Sequence, residues 1–171
     1  IKQFYQNRVI ILSSLTLSIT KSNINNIMNN PLLTKSTLPY GAPQFDKIET
    51  QHYIPAFKQA IEEGKAEIDA IVNNPESPSF ENTIEALEYA GETLNRISHI
   101  FYNLLEANTN EEMQNIAEEI SPLTTEFSMY VRLNDGLFQR IKSVYEQRES
   151  LNLDDVELRL LEKTYEGFAR N

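Results

Sequence analysis

Few residues in this chain are suited to chemistry. His52 and His99 are its two imidazoles, and it has no cysteine. A hydrolytic zinc site usually holds its metal with two or three imidazole or carboxylate ligands. His52 is followed by Tyr53 and His99 by Ile100, so neither heads a His-Glu-x-x-His motif. The paired Glu-x-x-His motifs of a carboxylate-bridged dimetal bundle are also missing. The acid pairs Glu62/Glu63, Glu111/Glu112 and Glu118/Glu119 are adjacent in sequence, so their side chains diverge around a helix and read as solvated faces. Five scattered glycines make no phosphate-cradling loop. No G-x-S-x-G elbow accompanies the serines. His52, beside a helix start, reads as a solvated or capping residue, and His99 as a residue at the edge of a core. The expectation is that the chain itself carries no catalytic, cofactor-binding or metal-ligating residue.

The elements around these residues are easier to read. Ile54, Phe57, Ile61, Gly64, Ile68 and Ile71 recur at three- and four-residue spacing, which is one face of a helix. Pro55 suits its first turn, and Asn73, Asn74 and Pro75 end it. Ile84, Leu87, Gly91, Leu94, Ile97, Phe101 and Leu104 predict one long helix over Phe80–Leu105, capped by Asn82 or Thr83. Thr109 with Glu112 forms a capping-box pattern. The stripe Met113, Ile116, Ile120, Leu123, Phe127 and Tyr130 follows, with Pro122 expected to bend that helix without stopping it. Asn134-Asp135-Gly136 reads as a turn. Leu137, Ile141, Val144 and Tyr145 mark a fourth helix. Asp154 and Glu157 cap a fifth, carrying Leu158, Leu161, Tyr165 and Phe168.

No strand pattern and no repeat of fixed period survive beside these stripes. The fold class expected is all-α: an antiparallel bundle of about five helices, preceded by an irregular N-terminal arm. Ser22 to Pro43 is rich in Asn, Ser, Thr and Pro, and Leu32, Leu33, Leu38 and Phe45 are expected to peg this arm onto the helices. Residues 1–27 read as an extra segment, either upstream of a natural start at Met28 or a weak signal peptide. Residues 28–49 are the arm and 50–171 the helical region.

Charge narrows the partners. The chain holds 15 bases and 25 acids. Residues 50–171 have ten bases against 23 acids, which argues against a nucleic-acid partner. The apolar run Val9–Ile19 is too short to span a bilayer, so no membrane span is expected. The lack of cysteine and of a good signal leans toward the cytoplasm.

Several stretches together resemble the N-terminal part of the thimet-oligopeptidase-like zinc metallopeptidases, in particular the bacterial peptidyl-dipeptidase (dipeptidyl carboxypeptidase) branch. They are NPLL at Asn30–Leu33, PAF at Pro55–Phe57, FENTIEALE at Phe80–Glu88 and LNRISHIFYNL at Leu94–Leu104. Ser121-Pro122 and the long run from Tyr145 to Arg170 complete the resemblance, which covers about residues 30–171. It implies a largely helical enzyme whose zinc is held by a His-Glu-x-x-His helix and a downstream Glu, with the Glu of the motif as general base. It further implies a deep channel between two lobes that admits short peptides, from whose C-termini dipeptides are released. By the resemblance, all those catalytic residues lie beyond Asn171, so none is carried over here. The helices of this chain would then form the channel wall, lacking the catalytic lobe that is their partner. The alternative is a stand-alone acidic helical module that binds a basic protein.

Overall fold

The computed structural model describes residues 29–170, so the segment 1–27 and Met28 lie outside the described residues. The described residues are helical with intervening turns, and no strand occurs among them. Two compact units meet in sequence at Ala56 and Phe57.

The first unit opens on the NPLL stretch. Asn30 is fully buried, and its side-chain oxygen accepts the Leu32 N–H at 3.0 Å. Its backbone carbonyl accepts the Leu33 N–H at 3.0 Å, and its amide donates to the His52 carbonyl at 2.8 Å. A short polar side chain that satisfies its own turn and a distant carbonyl fixes the arm without regular structure. Up to Glu49, only the short 3-10 turns Pro39–Gly41 and Phe45–Lys47 interrupt irregular chain. Of the expected pegs, Leu32 is fully buried and Leu33 half-buried, but Leu38 and Phe45 are exposed. The expectation of four pegs holds only for the two leucines next to Asn30.

Helix α1 (Tyr53–Val72) follows the 3-10 turn Thr50–His52. Phe57, Ile61, Gly64, Ile68 and Ile71 are buried, as their spacing requires, and Ile54 is half-buried. Gly64 has a packing reason: a Cβ there would stand 2.8 Å from Cζ of Phe127. α1 ends where Asn73 and Asn74 take over, and the Asn73 side chain donates to the Asp69 carbonyl.

The long helix expected over Phe80–Leu105 is two elements. The first, α2, starts as a π-helix over Phe80–Glu85 and continues as an α-helix over Ala86–Tyr89. Ala90 is then extended, and Gly91 adopts a left-handed conformation at φ 77°. That backbone region is nearly free only to glycine. α3 (Glu92–Ala107) starts afresh and buries Leu94, Ile97, Ile100 and Phe101. The stripe crosses the break because Gly91, read as a small core residue, is the corner itself. The cap also differs: Ser79, not Asn82 or Thr83, accepts the Asn82 N–H, and Asn82 reciprocates by accepting the Ser79 N–H.

α4 (Glu111–Arg132) is capped by Asn110, whose side chain accepts the Met113 N–H at 2.8 Å, one residue later than expected. It runs through Pro122 without stopping. Thr124 and Thr125 donate to the Ser121 carbonyl at 3.0 and 2.8 Å, occupying an acceptor beside the proline. Met113, Ile116 and Ile120 are buried, whereas Leu123, Phe127 and Tyr130 are only half-buried.

Asn134 does not make a free turn. Its side chain accepts the Leu137 N–H at 2.9 Å and so starts α5 (Asp135–Glu146) directly. α6 (Asp155–Ala169) begins with the expected Asp154/Glu157 capping box. α5 packs on α6, and both pack on the π-helical turn. Ile68, Ile71, Phe80, Ile84, Leu137, Ile141, Val144 and Leu161 form one buried cluster there. Each such side chain contributes about 1.5–3 kcal/mol. Tyr145 and Tyr165 stack at 4.0 Å between centroids, with the Arg148 guanidinium 4.3 Å from the Tyr145 ring.

Candidate functional site

The π-helical turn Phe80–Glu85 is where the most polar contacts converge. A π-helix costs backbone regularity and occurs often at functional positions. Here it is held by Arg140 of α5, only 8% exposed. One guanidinium nitrogen, Nη1, donates to the carbonyls of Asn74 at 3.0 Å and Glu76 at 3.2 Å. The other, Nη2, donates to the side-chain oxygen of Asn82 at 2.9 Å. That oxygen also accepts from the Ser79 N–H and the Thr83 hydroxyl, each at 2.9 Å. The Asn82 amide in turn donates to the Ser77 carbonyl at 3.0 Å. Arg140 thus ties the α1–α2 loop to the FENT turn. Its Nε has no hydrogen-bond partner among the described residues. Sequence reasoning passed Arg140 over; the available signal was a cation beside the stripe Leu137, Ile141 and Val144, where a solvated base does not belong.

Beside this knot a cavity of about 360 Å³ opens between α1 and α2. Ala70, Ala86 and Ala90 make small apolar walls, and Glu67, Asn74, Asn82 and Tyr89 supply its polar and aromatic groups. One Glu67 carboxylate oxygen accepts the Gly91 N–H at 2.7 Å, which fixes the α2–α3 corner. A second, shallower groove of about 850 Å³ runs along α4 past Pro122, Glu126, Met129, Tyr130 and Leu133. Met129 and Leu133 are 54% and 60% exposed there. On its α1 side, the Tyr130 hydroxyl donates to the Asp69 carboxylate. That bond pushes the phenol above its usual value.

The two histidines are not brought together into a site. Nδ1 of His52 accepts the Glu49 N–H at 2.9 Å, so this ring caps the turn before α1. Glu49 and His52 stand three residues apart, a spacing that can serve a metal, but both side chains here serve the backbone. His99 is exposed on α3. Among the described residues no group of three or more His, Asp or Glu is placed to hold a metal ion. Among the described residues, then, no donor set fits zinc. Of the adjacent acid pairs, every carboxylate is exposed except Glu63, which is half-buried and accepts from Gln59. No described helix is long and apolar enough to cross a membrane.

Comparison with known proteins places these features in a class. No protein-family profile matches the chain. Dipeptidyl carboxypeptidase of Escherichia coli is 45% identical over 140 residues, covering 82% of this chain and 21% of that protein. The Salmonella typhimurium dipeptidyl carboxypeptidase is 44% identical over the same shares. Oligopeptidase A of Salmonella typhimurium is 26% identical over 141 residues, 20% of its length. The chain spans about a fifth of the length of the curated relatives it matches.

This all-α chain aligns over most of its length with two kinds of peptidase. More narrowly, the likeness is to dipeptidyl carboxypeptidases at 45% and 44% identity, and more distantly to oligopeptidase A and a thimet-like oligopeptidase.

Proposed function

We propose that residues 50–171 are the N-terminal helical region of a peptidase of the peptidyl-dipeptidase type, and that they form part of the wall of its substrate channel. The observation that carries this reading is 45% identity to a dipeptidyl carboxypeptidase, spread over 82% of the chain. The same helices offer no cluster able to hold a metal among the described residues. In this reading the chemistry lies elsewhere in the whole protein, which uses zinc, acts in the cytoplasm and takes dipeptides from the C-termini of short peptides. Residues 28–49 are an arm before the wall.

A wall acts by shape. Rigid helices at a channel mouth admit an extended chain and exclude a folded one, and the ordering entropy is lost before substrate arrives. The knot of Arg140 and Asn82 supplies rigidity where α1, α2 and α5 meet.

The reading predicts that the 171-residue chain alone hydrolyses nothing. Incubated with short peptides and zinc, it releases no dipeptide in a mass-spectrometric assay. Chelator-sensitive hydrolysis by the purified chain would place the chemistry within these residues and overturn the proposal.

A further inference from the structure

α4 is well covered over half its length only. Its first half buries Met113, Ile116 and Ile120, but from Ser121 to Leu133 no residue is buried. The groove of about 850 Å³ lies along that second half, and its edges are two rows of side chains four residues apart. Ser121, Thr125, Met129 and Leu133 form one row, and the row from Pro122 to Tyr130 forms the other. Rows of this spacing are the ridges between which a second helix seats its own side chains. At ~1.5 Å per residue the groove is about 18 Å long, enough to take one face of a helix over three turns.

The groove can be covered at small polar cost. Tyr130 gives its hydroxyl to Asp69 on the α1 side. Thr125 donates to the Ser121 carbonyl at 2.8 Å, and the Glu126 carboxylate stands 3.6 Å from the Lys65 ammonium. Groups already paired lose little when water is removed from above them. Charge is also sparse. Between Ile120 and Asn134 the charged residues are Glu126 and Arg132, whereas the stretch Glu111–Glu119 holds four acids and no base. An outward helix face is normally charged and polar. This one instead exposes Met129 by 54% and Leu133 by 60%, the composition of a face that another element covers.

We propose that this groove is the seam at which the helical unit meets the rest of its peptidase, and that its occupant is an amphipathic helix from outside these 171 residues. In the Escherichia coli dipeptidyl carboxypeptidase about four fifths of the chain lies outside the matched segment, so a large body of protein is available to cover the counterpart of α4. The apolar face of the incoming helix seats against Met129 and Leu133. At the other end the small side chains of Ser121 and Thr125 admit its backbone more closely. The seam rests on the reading that these helices belong to a larger peptidase, and it adds which face joins them to it.

The test is methionine footprinting with hydrogen peroxide, read by mass spectrometry. It compares the 171-residue chain with a hybrid in which residues 29–170 replace the matched segment of that enzyme. Met129 is 54% exposed and Met113 only 6%. In the chain alone Met129 is oxidised fast and Met113 slowly. In the hybrid Met129 slows about tenfold, while Met113 keeps its rate and reports folded helices. Leu133→Glu leaves the melting of the chain alone unchanged and restores fast oxidation of Met129 in the hybrid. An active hybrid whose Met129 is oxidised as fast as in the chain alone would overturn the seam and leave the wall reading intact. Protection of Met129 in a folded hybrid that releases no dipeptide supports the seam and counts against the wall. A second check needs no hybrid: the chain alone binds an apolar fluorescent dye, and Met129→Glu combined with Leu133→Glu lowers that binding about threefold. Unchanged dye binding would overturn the proposal. So would protection of Met129 that rises with the concentration of the chain alone as a dimer forms, which would make a second copy the occupant.

Discussion

Replacing Phe101 by alanine lowers the stability of the helical unit by about 3–5 kcal/mol. Phe101 is fully buried on α3 and meets Phe57 of α1 edge to face at 5.8 Å between centroids. It meets Tyr102 at 5.2 Å. Alanine removes the ring and leaves a cavity that rigid helices on both sides fill only in part. The loss adds the transfer energy of the deleted atoms to the missing dispersion contacts of the cavity lining. In a chain of this size each kcal/mol moves the melting temperature by roughly 2–4 °C, so the variant melts about 10 °C lower. Circular dichroism during heating reads this directly. An unchanged melt would mean that α3 is not a central packing element.

Arg140→Met is the second large effect, and it acts through polar groups. The change removes the charged donor from the carbonyls of Asn74 and Glu76 and from the Asn82 oxygen. Hydrogen bonds from a charged group contribute about 1.5–3 kcal/mol each. Against that stands the cost of burying a cation that has no carboxylate partner among the described residues and whose Nε has no acceptor among them. The net loss is about 2–3 kcal/mol. Arg140→Lys does not rescue it, because one ammonium cannot span three acceptors placed for a planar fork. A packing role alone would let methionine, of similar length, restore stability. The distinguishing readout is hydrogen exchange: the amides of Ser79, Asn82 and Thr83 lose protection in the methionine variant, while those of α4 do not.

The pattern of success in the sequence reading follows from what spacing can report. A three-and-four stripe records which residues face a neighbour: Phe57, Ile61, Ile68 and Ile71 of α1, Leu94, Ile97 and Phe101 of α3, and Leu137, Ile141 and Val144 of α5 are buried on their stripes, while Tyr53, Ala56, Ala60, Ile100 and Arg140 are buried beside them. Spacing does not record φ. Gly91 fits the stripe of a continuous helix as a small residue, and only its left-handed backbone reveals a corner. Nor does spacing choose between neighbouring caps. Ser79, Asn82 and Thr83 all carry a competent oxygen; Ser79 takes the cap, while the Asn82 oxygen accepts from Arg140. Arg140 itself is separated by 58 residues from Asn82, so nothing local announces their contact.

The candidate site shows the same division. That His52 serves its own turn was legible from its place before a helix. That Glu67 would reach the Gly91 N–H was not, since it depends on the corner. The likeness to dipeptidyl carboxypeptidases was legible because FENTIEALE, LNRISHIFYNL and the run from Tyr145 to Arg170 fix many side chains at once, whereas one stripe fixes only a polarity.

The central claim is that these helices shape a peptidase channel. It is tested most directly by a hybrid in which residues 29–170 replace the matched segment of the Escherichia coli dipeptidyl carboxypeptidase. The two segments are 45% identical over 140 residues, so the facing surfaces remain largely alike. The account predicts a folded hybrid that releases dipeptides from short peptides and leaves a folded protein intact. A hybrid that folds and binds its metal yet releases nothing, or that degrades the folded protein, would contradict it.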